Sequence, residues 1–260
     1  MLNLVLVCGL ARCGTNSISG YMHMHDSIMA FQGGPSPISN LLSNKKELMV
    51  WLARMDPQII AGSPYNTKLQ TAAQEYTIKK KEKYLATYHE LDEYKYYVKR
   101  QDSAELYGKR TKSKKKDIPY IESIVNNPLI NLKLIYSMRP DLKNLYASRK
   151  GNLYIESPLE FCDMVTLSYK RILQLKKYGV PICPVSLVFG QTEYKRIDRF
   201  LELEPSAFQQ RWASANLITN KAGPVNKQKR AGPGFDPKVL KAFSKLKALY
   251  SSTREELLDI

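Results

Sequence analysis

Two glycines bracket the stretch Gly9-Leu10-Ala11-Arg12-Cys13-Gly14, and Thr15, Asn16 and Ser17 follow at once. Where such a loop joins a strand to a helix, backbone N–H groups and the positive helix end converge on one point and bind an anion. The chemistry on offer is therefore phosphate or sulfate recognition. A loop that hydrolyses nucleoside triphosphates would continue with Lys, for the phosphates, and Ser or Thr, for Mg²⁺. Thr15 and Asn16 stand in those places, which weakens the metal-and-triphosphate reading. The cation lies inside the loop instead, as Arg12. Further cations with positional meaning are Arg139, after an apolar run, the basic run from Lys109 to Lys116, and Lys229 and Arg230 in a Gly/Pro/Lys-rich stretch.

The flanking elements must place these groups. Leu2 to Cys8 is a short run of β-formers ended by Gly9, which suits a central parallel strand covered on both faces. Asn16, Ser17 and Ser19 supply helix-start chemistry for a segment reaching about His25. Gly33-Gly34-Pro35 and Pro37 mark a loop before an amphipathic helix through Glu47 to Leu52. From Asn66 to Arg100 a Lys/Tyr/Glu-rich stretch without Gly or Pro predicts one or two surface helices. A helix is expected from about Tyr120 to Asn126. Asn131 to Met138 reads as a strand ending at Arg139-Pro140, with a helix over 141–150 behind it. Helical spacing covers Pro158 to Tyr178, Val185 to Phe189 reads as a further strand, and helices are expected over Glu193 to Leu203 and Pro237 to Tyr250. Strands alternating with helices predict a three-layer α/β/α fold on a central parallel sheet, in one domain over residues 1–260, with a mainly helical Lys/Tyr-rich insertion at about 66–107.

Composition bounds the function. Forty Lys and Arg against 24 Asp and Glu give a net charge of +16, which attracts polyanions without choosing among them. Cys8, Cys13, Cys162 and Cys183 lack metal-ligand spacing and read as buried free thiols of a reducing compartment. The first apolar run is too short to span a bilayer and no basic segment precedes it, so a cytoplasmic protein without a membrane span is expected. Tyr84-Tyr88 and Tyr94-Tyr96-Tyr97 read as surface aromatics packed on helix neighbours, with stacking of sugars or aromatic acceptors as the functional alternative.

Arg12-Cys13-Gly14-Thr15-Asn16 resembles the 5′-phosphosulfate loop of sulfotransferases that use 3′-phosphoadenosine 5′-phosphosulfate (PAPS), in which Lys or Arg precedes Ser-Gly-Thr-Thr. Cys13 replaces the Ser and Asn16 the second Thr; Arg in the first place is the tyrosylprotein sulfotransferase form. His25-Asp26-Ser27-Ile28 is similar to the family's helix ending, and Leu132 to Arg149 to its 3′-phosphate segment. That resemblance gives Arg139 the 3′ phosphate. The partner serine usually lies eight residues on, where Ala147 stands, with Ser148 one later. Lys229 and Arg230 match the basic loop over the nucleotide, and Lys109 the family's second-strand lysine near the sulfonate, with Lys112 in place of a proline. The glutamate that often follows the late strand is replaced by Gly190-Gln191.

The resemblance implies a sulfotransferase acting by in-line displacement. Arg12 and Lys109 serve the reacting group, Arg12 to Ser17, Arg139, Ser148, Lys229 and Arg230 bind the cofactor, no metal is used, and 3′-phosphoadenosine 5′-phosphate (PAP) is released. The acceptor is a small molecule, glycan or peptide. No general base is assigned: Phe31-Gln32-Gly33-Gly34 lacks the carboxylate used by tyrosylprotein sulfotransferases, His25 reads as packing or capping, and His23 and His89 have no local support. A P-loop kinase would need Lys after Gly14 and Mg²⁺ ligands. A nucleic-acid-binding protein would explain the charge and the Tyr/Lys interleaving, though not the glycine loop or Arg139.

Overall fold

The computed structural model describes residues 1–10, 12–31, 44–55, 57–58, 67–87, 90, 93–102, 125–150, 157–219 and 235–259. Five parallel strands, β1 (Leu2–Gly9), β2 (Ile28–Phe31), β3 (Tyr96–Asp102), β4 (Ile130–Ser137) and β5 (Ile182–Val185), form one sheet in the order β2-β3-β1-β4-β5. All ladders are parallel, as the alternation of strands and helices predicts. β1 lies in the middle and is buried along nearly its whole length, which accounts for its unbroken apolar sequence. Chain winding reverses at β1: β2 and β3 lie on one side of it, β4 and β5 on the other. The crevice beyond the carboxyl ends of β1 and β4 is thus the place where open α/β sheets bind ligands.

Helices α1 (Thr15–His23), α2 (Lys45–Ala53), α3 (Thr67–Thr87), α4 (Leu142–Lys150), α5 (Pro158–Lys177), α6 (Gln191–Leu201), α7 (Ala207–Thr219) and α8 (Pro237–Leu258) flank the sheet. Leu4, Leu6, Tyr97, Leu134 and Tyr136 point into one core with residues of α2, α4, α5 and α8. Val5, Val7, Val98 and Ile135 point into the other, with α1, α6 and α7. The period-two alternation along β1, β3 and β4 thus feeds both cores. α3 contributes Ala73 to one and Tyr84 to the other, so it wraps the β2 side of the sheet. Within α8, Val239, Phe243, Leu246, Tyr250 and Leu257 are buried on one stripe. Each such side chain is worth about 1.5–3 kcal/mol of transfer free energy.

Three expectations need correction. Residues 96–102 are a strand, not part of a surface helix, and Tyr84, Tyr94, Tyr96 and Tyr97 are core side chains rather than a surface stacking patch. Tyr97 stacks on Phe31 at 6.3 Å and meets Tyr94 edge-on. Tyr88 lies outside the described residues. The strand expected over Val185 to Phe189 is displaced: β5 ends at Val185, and Leu187–Phe189 form a 3-10 turn. Pro184 inside β5 is tolerated because β5 pairs with β4 alone, at the sheet edge. The segments expected over 109–126 lie outside the described residues except for its last two positions. The four cysteines are buried and none is in a disulfide. Among the described residues no helix is long and apolar enough to cross a membrane.

Candidate anion-binding site

Register Gly9↔Ser137 brings the ends of β1 and β4 side by side. A Cβ on Gly9 would stand 2.5 Å from the Ser137 carbonyl oxygen, so only glycine lets the loop leave β1 in contact with β4. Gly14, at φ 100°, is the N-cap of α1, and a Cβ there would lie 2.9 Å from Leu187 Cδ1. Between them Arg12 adopts φ 75°, the left-handed region that costs a non-glycine residue about 1 kcal/mol or more. Two hydrogen bonds fix the turn: Cys13 N–H donates to the Leu10 carbonyl at 3.0 Å and Ile18 N–H to the Gly14 carbonyl at 3.1 Å. With no side chain on the N-cap and no acidic residue in the first turn, the N–H groups of Thr15, Asn16 and Ser17 present the helix's positive end to an outside anion. The Arg12 and Asn16 side chains are exposed, Thr15 and Ser17 are half-buried, and Cys13 is buried.

β4 holds this loop by its carbonyls. Ser137 Oγ donates to the Cys13 carbonyl at 2.7 Å, and Arg139 Nη1 donates to the Arg12 carbonyl at 3.3 Å. Arg139 Nη2 lies 3.7 Å from Asp141 Oδ2, and its Nε is buried without a hydrogen-bond partner. Asp141 is shared, since its Oδ1 also accepts the Asn144 N–H at 3.3 Å in the first turn of α4. The two arginines singled out in the sequence thus meet at one place.

Behind the loop stands the 3-10 turn. Leu187 fills the space beside Gly14, and Glu193, in the first turn of α6, reaches back to accept the Ser186 N–H at 2.6 Å. Its other oxygen accepts Arg254 Nη2 of α8 at 2.9 Å and lies 3.5 Å from Arg196 Nη2. Arg254 in turn covers the Phe189 ring, 5.0 Å from its centroid. Only the i,i+3 spacing of Glu193 and Arg196 on a helix start hints at this network in the sequence.

Other expected groups fall elsewhere. Lys109, Lys229 and Arg230 lie outside the described residues; Ser148 sits within α4, with its side chain undescribed. Of the two strands next to β1, β3 bears Lys99, buried opposite Leu6, a position hidden by the helical reading of that stretch, and β4 bears Lys133 opposite Val5. His25 closes a turn: its Nδ1 accepts the Ser27 N–H at 3.1 Å, leaving Nε2–H for the Glu204 carbonyl at 3.2 Å. Burial lowers its pKa. His23 is fully buried, and burial first, then Lys80, holds it neutral. His89 lies outside the described residues. Among the described residues no cluster of His, Cys, Asp or Glu is arranged to hold a metal.

Beneath the site, Tyr21 of α1 donates a bifurcated hydrogen bond to Asp198 of α6, 2.8 and 2.7 Å from the two carboxylate oxygens. Burial dominates and raises the Asp198 pKa to about 6. At the far end of α1, Lys80 Nζ donates to the carbonyls of His23 at 2.7 Å and His25 at 2.5 Å. A lysine ammonium at the negative end of α1 complements the dipole whose positive end faces the loop.

No protein-family model matches the chain, and no curated protein matches it. Among solved structures it is similar to the sulfotransferase domain from the Synechococcus PCC 7002 olefin synthase, with a TM-score of 0.49 and 12% identity over 96% of each chain.

Proposed function

We propose that this protein is a PAPS-dependent sulfotransferase. The observation that carries the reading is the meeting of Arg12 and Arg139 at the loop between β1 and α1, tied by the Arg139-to-Arg12 hydrogen bond. In this reading the first-turn N–H groups and the side chains of Thr15, Asn16 and Ser17 receive the 5′ phosphosulfate, with Arg12 beside the leaving phosphate. Arg139 takes the 3′ phosphate. A guanidinium offers forked donors suited to a phosphate, and a buried Nε without a partner leaves one of them unspent.

The reaction is an in-line displacement. An acceptor oxygen or nitrogen attacks sulfur, the bond from sulfur to the bridging phosphate oxygen breaks, and PAP leaves with that electron pair. The acceptor's proton passes to a base not assigned among the described residues. PAPS supplies the sulfuryl group. What this chain contributes is placement of that group at the edge of β1 and cancellation of charge on the departing phosphate. Ser148, Lys229, Arg230 and Lys109 belong to the proposal as nucleotide or sulfonate contacts, with Lys99 of β3, beside β1, as a further candidate.

The experiment is a titration of PAP, with ATP and AMP as controls, into the wild type and into Arg12→Ala and Arg139→Ala, read by calorimetry and thermal shift. A ligand at 100 times its Kd stabilises the fold by about 2.7 kcal/mol, which is readily seen. PAP binding that needs the 3′ phosphate and is lost in both variants supports the reading; preference for ATP with Mg²⁺ overturns it.

A further inference from the structure

Three consecutive residues at the end of β5 touch three different parts of the site. The Val185 carbonyl accepts the N–H of Met138, the residue before Arg139, at 2.9 Å. Ser186 N–H donates to Glu193 Oε2 at 2.6 Å, and Leu187 packs beside Gly14 of the loop. The Val185 carbonyl and the Ser186 N–H belong to one planar trans peptide unit, so they point to opposite sides. That unit is therefore pinned twice, by β4 on one side and by a carboxylate on the other. Among the described residues β5 has β4 as its only strand neighbour, so no strand supplies an acceptor where Glu193 stands. Glu193 is 2% exposed, and its second oxygen is met by Arg254 Nη2 at 2.9 Å and Arg196 Nη2 at 3.5 Å. The α6 dipole and the spacing to Arg196 would be served equally by an exposed glutamate. They do not explain the reach of Arg254 from α8. Nor does stability alone, because apolar residues of similar volume often replace a buried ion pair without loss. What a charged acceptor adds is a short, directional bond that fixes one peptide unit.

We propose that Glu193, backed by Arg254, is a positioning residue of the anion site: through residues 185–187 it sets where Arg139 and the Gly14 loop stand relative to each other. Met138 carries the effect to Arg139, and Leu187 carries it to Gly14. A ligand that reaches both places, as PAP does with its 5′ and 3′ phosphates, depends on that spacing. AMP has one phosphate and needs the loop alone. That the spanning ligand is PAP rests on the sulfotransferase reading; the coupling itself does not.

The test pairs amide hydrogen exchange with titrations of PAP and AMP on the wild type, Glu193→Ala, Glu193→Gln and Leu175→Ala. Leu175 is buried on α5, where its carbonyl accepts the Val180 N–H ahead of β5, and its truncation controls for lost stability at the other end of that strand. In Glu193→Ala the amides of Met138 and of Cys13 to Ile18 should exchange faster than in the wild type or in Leu175→Ala. PAP affinity should fall about tenfold or more, with a smaller loss for AMP. Glu193→Gln still offers an oxygen to Ser186 and should lie between Glu193→Ala and the wild type in both readouts. Leu175→Ala should lose Tm and keep its PAP affinity. Unchanged exchange at these amides in Glu193→Ala, or an equal effect in Leu175→Ala, would overturn the proposal. The two readings fail separately. If the wild type binds no PAP, the sulfotransferase reading falls and the exchange rates still decide the coupling; if PAP binds the wild type and Glu193→Ala alike, the positioning role falls and the cofactor reading stands.

Discussion

Arg139, just beyond β4, donates from Nη1 to the backbone carbonyl of Arg12, 3.3 Å away in the loop after β1. The bond crosses the point where the sheet's winding reverses, and it ties the loop after β1 to the chain leaving β4. Arg139→Lys keeps the charge and forfeits the fork. PAP affinity is expected to fall about tenfold or more, with little change in Tm in the absence of ligand; equal affinity would show that charge alone suffices.

Gly9→Ala and Gly14→Ala separate two kinds of crowding. At Gly9 the new methyl meets backbone, the Ser137 carbonyl at 2.5 Å, and the β1–β4 ladder must give way. At Gly14 it meets the end of the Leu187 side chain, and the principal cost is the left-handed φ of 100°. Urea melts should show a loss of about 1–3 kcal/mol at Gly14 and a larger one at Gly9. The reverse order would contradict the geometry.

Asp198 makes stability depend on pH in an unusual direction. Its folded pKa, raised to about 6 chiefly by burial, lies above the ordinary carboxylate value. Between about pH 4 and 6 the folded state therefore keeps a proton that the unfolded chain has released, and this group's contribution falls as pH rises through that window. Asp198→Asn retains an acceptor for Tyr21 and cannot ionise. Relative to wild type it should gain about 1–3 kcal/mol between pH 4.5 and 7.5 in denaturant melts. Parallel pH profiles would rule the effect out.

Lys80 works in the opposite sense. Burial lowers its pKa to about 7, so between about pH 7 and 10 the unfolded chain holds a proton that the folded one has lost, and stability rises with pH. Lys80→Met removes that slope along with the cap on the His23 and His25 carbonyls. From pH 7 to 9 the wild type should gain about 2 kcal/mol on the variant by chemical denaturation.

Much of the architecture is legible in residue patterns. The β1–loop–α1 unit and the β4–α4 unit stand out because apolar runs end at glycine or at Arg-Pro before helix-forming stretches. β3 does not, since Tyr96, Tyr97 and Lys99 look like surface helix until both neighbouring strands bury them. β2, Ile28–Phe31, is too short to show an alternation. At β5 the Cys-Pro pair obscures the strand, and the apolar Leu187–Phe189 that follows draws the eye downstream. Glu193 was out of reach for another reason: its role depends on Arg254, far along the chain, and on a backbone N–H that carries no sequence signal.

The place of β3 between β2 and β1 also bears on how the chain assembles. β2 follows β1 in sequence yet never touches it, and each waits for a strand that begins at Tyr96. Until Tyr96 and the residues after it are made, the β1 and β2 segments have apolar faces but no native strand to join. The two central ladders, β1 with β3 and β1 with β4, can close only after long stretches of chain have emerged, a topology that folds slowly. Long-range closure of the central ladders is thus the consequence of setting β1 between two strands that both follow β2 in the chain.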